Sequence, residues 1–160
     1  MIPRTKLRRA VITAVGGGLG IGAMVGLATL AGLPLLVVPF TTSIVLVMAA
    51  PHSEQAQPRN IVGGHVLSAL CGLGVLELLG HDPWLAALAV GASIGAMQLT
   101  DTLHPPAGIN ALLMVSAAVS WKFVLIPVAV GALVLVGFAY VYHRLTWPGG
   151  WPLSWWSNPR

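Results

Sequence analysis

The chain has 160 residues, of which 56% are hydrophobic and only 8% charged, with a formal net charge of +4 and a mean hydropathy of +0.85. Soluble domains carry about 25% charged residues, so this chain cannot coat a water-facing surface; it reads as a single-domain, all-α integral membrane protein. The lone cysteine, Cys71, rules out a disulfide framework, and basic residues neither clustered on one face nor interleaved with aromatics argue against a nucleic-acid interface.

Residues 1–9 form a basic N-terminus in which Arg4, Lys6, Arg8 and Arg9 act as a topology signal and an anchor on anionic lipid. The apolar run that follows, residues 10–31, is longer than a signal-peptide core and reads as a retained membrane helix. Gly18, Gly22 and Gly26 recur every four residues along it, as do Gly16 and Gly20. Such small faces let another helix approach closely, either inside the fold or in a homo-oligomer. Pro34 and Pro39 interrupt the next stretch. From Pro39 to Ala50 an apolar run of about 18 Å as a helix fits a half-helix rather than a full span.

Pro51–Asn60 is a polar loop, Ile61–Leu79 a full span, and Gly80-His81-Asp82-Pro83 a tight turn before a further span, Trp84–Thr100. Then comes Leu103-His104-Pro105-Pro106-Ala107-Gly108-Ile109-Asn110, which breaks the helical pattern by removing two backbone donors. Ala107–Ser120 is a second short apolar run and Phe123–His143 the last full span. A Trp-rich tail, residues 144–160, is expected at the membrane surface. The transmembrane domain thus covers residues 10–143 in six segments, four full spans and two half-helices.

With six crossings and the N-terminus inside, Arg4, Lys6, Arg8, Arg9, Arg59, Arg144 and Arg160 fall inside and Lys122 outside. If the two short segments re-enter instead, Arg59 moves outside and the positive-inside pattern weakens. Both termini are therefore expected to be cytoplasmic, in a bacterial inner membrane.

A shift of 67 residues places Pro39 on Pro106, Thr41 on Gly108, Ser43 on Asn110, Ile44 on Ala111 and Leu46 on Leu113. This predicts a 3+3 inverted repeat with halves at about 10–79 and 83–146, the plan of many secondary transporters. Half-helices starting at Pro39 and Pro106 would present free N–H groups and positive dipole ends to a small anion. The candidate anion-binding residues are Pro39, Phe40, Thr41, Thr42 and Ser43 in one half, and Pro106, Ala107, Gly108, Ile109 and Asn110 in the other.

Ala49-Ala50-Pro51, Ala56-Gln57-Pro58-Arg59-Asn60, Gly63-Gly64-His65 and Thr102-Leu103-His104-Pro105-Pro106-Ala107-Gly108 resemble, in order, the motifs of the HPP family of integral membrane proteins. The resemblance runs from the first span through the last. Members of that family include plastid and cyanobacterial nitrite transporters, so it implies transport of a small inorganic monovalent anion, nitrite first. This chain has Thr41-Thr42-Ser43 where members often have Gly-Ala-Ser, and Ile109-Asn110 where they often have Ala-Thr. Both departures fall on the candidate ligand positions and leave room for another substrate.

Charged groups at membrane depth cost about 2.5–3.5 kcal/mol or more, so each needs a reason. Asp101 is expected to pair with Arg59 or to carry a coupling proton. His65 and His104 are the candidate proton relays or gates, since histidine titrates near neutrality. Their alternative is a structural role, bonded to nearby carbonyls and hydroxyls. No spacing of His52, His65 and His104 matches a metal site, and no nucleophile is ordered against a base. The reading is of a transporter, with an anion channel or a non-transporting sensor or structural subunit as alternatives, and with no enzyme activity, cofactor or metal. Its partners are the small anion and the lipid bilayer.

Overall fold

A computed structural model describes residues 2–32, 38–147 and 150–156. Among them the chain forms six α-helices: α1 (Arg4–Ala31), α2 (Val38–Ala49), α3 (Pro58–Leu79), α4 (Pro83–Leu99), α5 (Gly108–Ser116) and α6 (Val130–Thr146). Short 3-10 turns at Glu54–Ala56 and Pro105–Ala107 precede α3 and α5, and a π-helical turn, Val124–Ala129, leads into α6. The fold is all-helical and membrane-embedded, with three helices long and apolar enough to cross a bilayer: Arg4–Ala31, Pro58–Leu79 and Val124–Thr146.

Several boundaries differ from the sequence expectation. Helix α1 begins at Arg4, so the basic cluster forms its first turns rather than a segment preceding it. Its 28 residues extend about 42 Å, beyond the roughly 30 Å hydrocarbon layer, which leaves those turns among headgroups. Helix α4 keeps the 17 residues, about 25 Å, of the expected Trp84–Thr100 segment but starts one residue earlier. It starts where the Asp82 carboxylate accepts the Trp84 N–H at 2.9 Å, with Pro83 in the first turn. It stops where Asp101 adopts a left-handed φ of 52°. The last span is interrupted: Ile126, forced towards extended backbone by Pro127, has φ −134° and ψ 113°. The break expected at Pro34 lies outside the described residues.

Packing divides the helices into two groups. Helices α1, α2 and α6 enclose one core, with Met24, Phe40, Ile44, Val47 and Leu135 fully buried. Helices α3, α4 and α5 pack on one another around Ala69, Met114, Ala89 and Ala111. Each group therefore takes helices from both halves of the sequence.

The two glycine rows of α1 part company. Gly16 and Gly20 are buried, and a Cβ on Gly20 would lie 2.7 Å from Ile44 and 2.9 Å from Phe138. Gly18, Gly22 and Gly26 have nothing within 4 Å of a Cβ position. Gly20→Val should therefore lower thermal stability by about 1–3 kcal/mol through overpacking, while Gly22→Val should leave the unfolding of the monomer near that of the parent. Equal melting temperatures for the two variants in detergent would contradict this division.

One end of the molecule gathers most of the basic residues. There the Thr13 hydroxyl donates to the Met48 carbonyl at 3.3 Å, Arg9 lies over the Trp147 ring at 5.9 Å, and Arg59 donates to the Thr100 carbonyl at 2.8 Å. The start of α1, the ends of α2, α4 and α6, and the start of α3 thus meet at one level.

The tail folds back over this end instead of lying wholly at an interface. Trp151 is 2% exposed, and its indole N–H donates to the Ala56 carbonyl at 2.9 Å. The Leu153 N–H donates to Gln57 Oε1 at 2.8 Å, and the Gln57 amide nitrogen donates to the Pro51 and Ser53 carbonyls. Among the described tail residues Trp147, Trp155 and Trp156 keep the expected open setting, at 42%, 45% and 82% exposure.

Candidate functional site

The double proline at Pro105-Pro106 does what its chemistry requires. It ends the helical pattern, sets a single 3-10 turn, and lets α5 restart at Gly108. The residue before it, His104, has extended backbone, φ −134° and ψ 93°, and its side chain points into the protein with no exposure. Helix α3 can receive this break because position 64 is glycine. A Cβ there would stand 2.7 Å from the His104 Cβ and 2.9 Å from the Thr102 carbonyl oxygen.

Four fully buried polar side chains then meet where the two helix groups join: Ser43 of α2, His65 of α3, Asn110 of α5 and His104 of the break. The Ser43 hydroxyl lies 2.8 Å from His65 Nε2 and 2.9 Å from His104 Nε2. Asn110 Nδ2 lies 2.7 Å from His65 Nδ1 and donates to the His65 carbonyl at 3.2 Å. His104 Nδ1 stands 2.6 Å from the Gln55 carbonyl. The Phe40 ring packs on His65 at 4.6 Å, and the two imidazoles are 5.0 Å apart.

The partners assign the protons. A carbonyl can only accept, so His104 carries its hydrogen on Nδ1 and leaves Nε2 as an acceptor. The Asn110 amide donates to His65 Nδ1, so His65 carries its hydrogen on Nε2. His65 Nε2–H then donates to Ser43, and Ser43 O–H donates to His104. All donors run one way, from Asn110 through His65, Ser43 and His104 to Gln55. At the head of this chain, Asn110 Oδ1 is buried without a partner among the described residues.

An open groove of about 590 Å³ runs beside the chain, lined by Thr42, Leu46, Gln55, Pro105, Pro106 and Ile109. Its walls come from α2 and from the break before α5, whose start lies beside the Thr42–Leu46 stretch. A second, polar pocket of about 320 Å³ includes Glu54, Gln55, Asn60 and Asp101. Gln55 borders both.

The structure thus brings Ser43, Asn110, His65 and His104 into one cluster, with Phe40 and Ala107 buried around it. It sets Thr42, Pro106 and Ile109 on the groove wall. Pro39 is buried in the first turn of α2, and its carbonyl is 3.3 Å from the Ser43 hydroxyl; Thr41 is exposed, and Gly108 is half-buried. Arg59 reaches the Thr100 and Trp156 carbonyls, and Asp101 lines the polar pocket. Residue-type reasoning did not single out Gln55, Asn60 or Ser68. Gln55 acts through its backbone carbonyl, which no side-chain pattern reveals. Asn60 donates to the Leu103 carbonyl at 3.0 Å and so ties the break to α3. Ser68 accepts the Ala111 N–H at 3.2 Å. Its spacing of three from His65, on the same helix face, was the available signal.

The HPP transmembrane region family matches residues 2–152. The chain belongs to the HPP family. Two transmembrane proteins of Dictyostelium discoideum are similar to it. One is 36% identical over 134 residues, covering 79% of this chain and 47% of the relative. The other is 35% identical over 125 residues, covering 73% of this chain and 40% of the relative. This HPP-family chain spans less than half the length of these curated relatives. No solved structure matches it significantly. Family membership, together with the long apolar helices, establishes a membrane protein.

Proposed function

We propose that this HPP-family protein transports a small inorganic monovalent anion, nitrite first, through the groove between α2 and the break before α5. The observation that carries the reading is that groove. Broken backbone at membrane depth persists where it is buried in protein or lines a cavity, and here Pro105, Pro106 and Ile109 form the wall opposite Thr42. The starts of two short helices add positive dipole ends on the same side.

An inverted repeat with alternating access is supported by the element boundaries. Helix α2 ends at Ala49 and α5 at Ser116, while α3 ends at Leu79 and α6 at Thr146, each pair 67 residues apart. The packing has the same symmetry: α3 joins α4 and α5 just as α6 joins α1 and α2. The gathering of Arg9, Arg59 and the start of α1 at one end supports an inside location for that end, with both termini cytoplasmic. The open row Gly18, Gly22 and Gly26 would suit a second copy. The alternatives differ in kinetics rather than architecture. A channel would conduct without saturating, and a sensor would bind without flux.

The test is nitrite uptake by the purified protein in liposomes, corrected for leak in protein-free vesicles, with nitrate, formate and chloride as competitors. Saturable uptake is expected, and Ile109→Trp, which fills the groove, should reduce it at least about tenfold, the equivalent of 1.4 kcal/mol in transition-state free energy. Undiminished uptake in that variant would place the path elsewhere.

A further inference from the structure

We propose that the His65–Ser43–His104 chain is a proton-carrying site and that one proton crosses with each anion. This rests on the anion-transport reading above and adds the coupling ion to it.

The argument begins with the Ser43 hydroxyl, which has one hydrogen and two lone pairs. In the neutral chain the hydrogen goes to His104 Nε2 at 2.9 Å and one lone pair accepts from His65 Nε2–H at 2.8 Å. A third neighbour is in place: the Pro39 carbonyl, 3.3 Å from the same oxygen. If the hydroxyl turns its hydrogen to that carbonyl, both lone pairs face the imidazoles. His104 Nε2 can then bear a proton and donate to Ser43 while His65 continues to donate. Every group keeps a partner in both states, and no heavy atom has to move. The bond formed is the Nε2–H bond of His104; the proton comes from water and returns to water, and nothing is oxidised or reduced.

The second step concerns the charge. The protonated chain holds one imidazolium among fully buried groups. None of its hydrogen-bond partners is acidic: they are Ser43, Asn110 and the carbonyls of Pro39, His65 and Gln55. Helices α2, α4 and α5 carry no ionisable side chain at all; besides His65, α3 brings Arg59, whose described bonds go to the Thr100 and Trp156 carbonyls, Cys71, and Glu77, which is exposed and about 18 Å along the helix from His65. Glu54 and Asp101 sit on the polar pocket on the other side of Gln55, and both residues are exposed. A buried cation with no counter-charge is costly, and breaking a buried pair leaves that cost behind. His104 itself is buried, but its chain neighbour Pro105 and its hydrogen-bond partner Gln55 both line the groove. A monovalent anion there supplies the missing negative charge, so each ligand raises the affinity for the other by the same factor. The anion and the proton load together, and the loaded unit is neutral.

The experiment uses the intact protein in liposomes with a trapped pH dye and the membrane voltage clamped by potassium and valinomycin. An inward nitrite gradient should acidify the lumen with one proton per nitrite, at a rate indifferent to the clamped voltage. Nitrate serves as a second probe, because its conjugate acid does not leak across lipid. His104→Gln, which cannot take the proton, should bring the ratio to zero and make any residual flux voltage-sensitive. If that variant does not fold, the parent's ratio and voltage response still decide. Anion flux without protons overturns the coupling and leaves transport standing, whereas a ratio of one retained in His104→Gln overturns the assignment of the site. Absence of protein-dependent anion flux overturns both readings.

Discussion

Ser43→Ala is expected to destabilise the protein by about 2–4 kcal/mol and to abolish anion flux. The hydroxyl is the only described link between His65 Nε2 and His104 Nε2, at 2.8 Å and 2.9 Å. Alanine leaves a buried N–H and a buried ring nitrogen unpaired. Each orphan costs about 1–3 kcal/mol, less what a water filling the vacated volume returns. The change also removes the side-chain hydrogen bond that ties α2 to the break beside the groove. Thermal unfolding in detergent and uptake in liposomes measure the two effects. A variant within about 0.5 kcal/mol of the parent would behave like an ordinary surface substitution and would contradict the hydrogen-bonded chain described here.

Gly64→Ala should be nearly as damaging, although it adds a single methyl group. That carbon would stand 2.7 Å from the His104 Cβ and 2.9 Å from the Thr102 carbonyl oxygen, and backbone cannot rotate out of the way. Overpacking of this kind costs about 1–3 kcal/mol, and the relief available is to push the break off α3, which draws His104 away from Ser43. Gly74 lies on the same helix with nothing within 4 Å of its Cβ position. Gly74→Ala is therefore expected to be neutral or to stabilise by up to about 1 kcal/mol through helix propensity. Similar losses in the two variants would mean that the helix, rather than its contact with the break, is sensitive.

The comparison of the two glycines shows where sequence reading reached its limit. The Gly63-Gly64-His65 motif marks a special position on α3, but nothing local says that His104 and Thr102 lie against it. The rows on α1 behave the same way. Spacing alone treats Gly20 and Gly22 as equivalent candidates for close packing, and only the positions of Ile44 and Phe138 separate them. The tail gave the opposite error. Trp151 has the composition of an interface anchor, yet it is buried because Ala56 and the ring of His143, 5.6 Å away, receive it.

The sequence by itself determined the membrane setting, the break at the double proline, and the histidines worth watching. These follow from composition and from the covalent geometry of proline, which act within a few residues. It also supplied the 67-residue register on which the proposed repeat rests, because the runs from Pro39 and Pro106 carry related residues. Only the tertiary structure decided which donor meets which acceptor. The bonds of the chain join residues 22, 61, 45 and 49 positions apart, and one of them ends on a backbone carbonyl. The sequence points to Ser43 and Asn110 as donors to an anion; packing brings two imidazoles within hydrogen-bond reach of them first. A hydroxyl's single hydrogen goes to whatever acceptor the fold delivers, and helix packing over long separations makes that delivery.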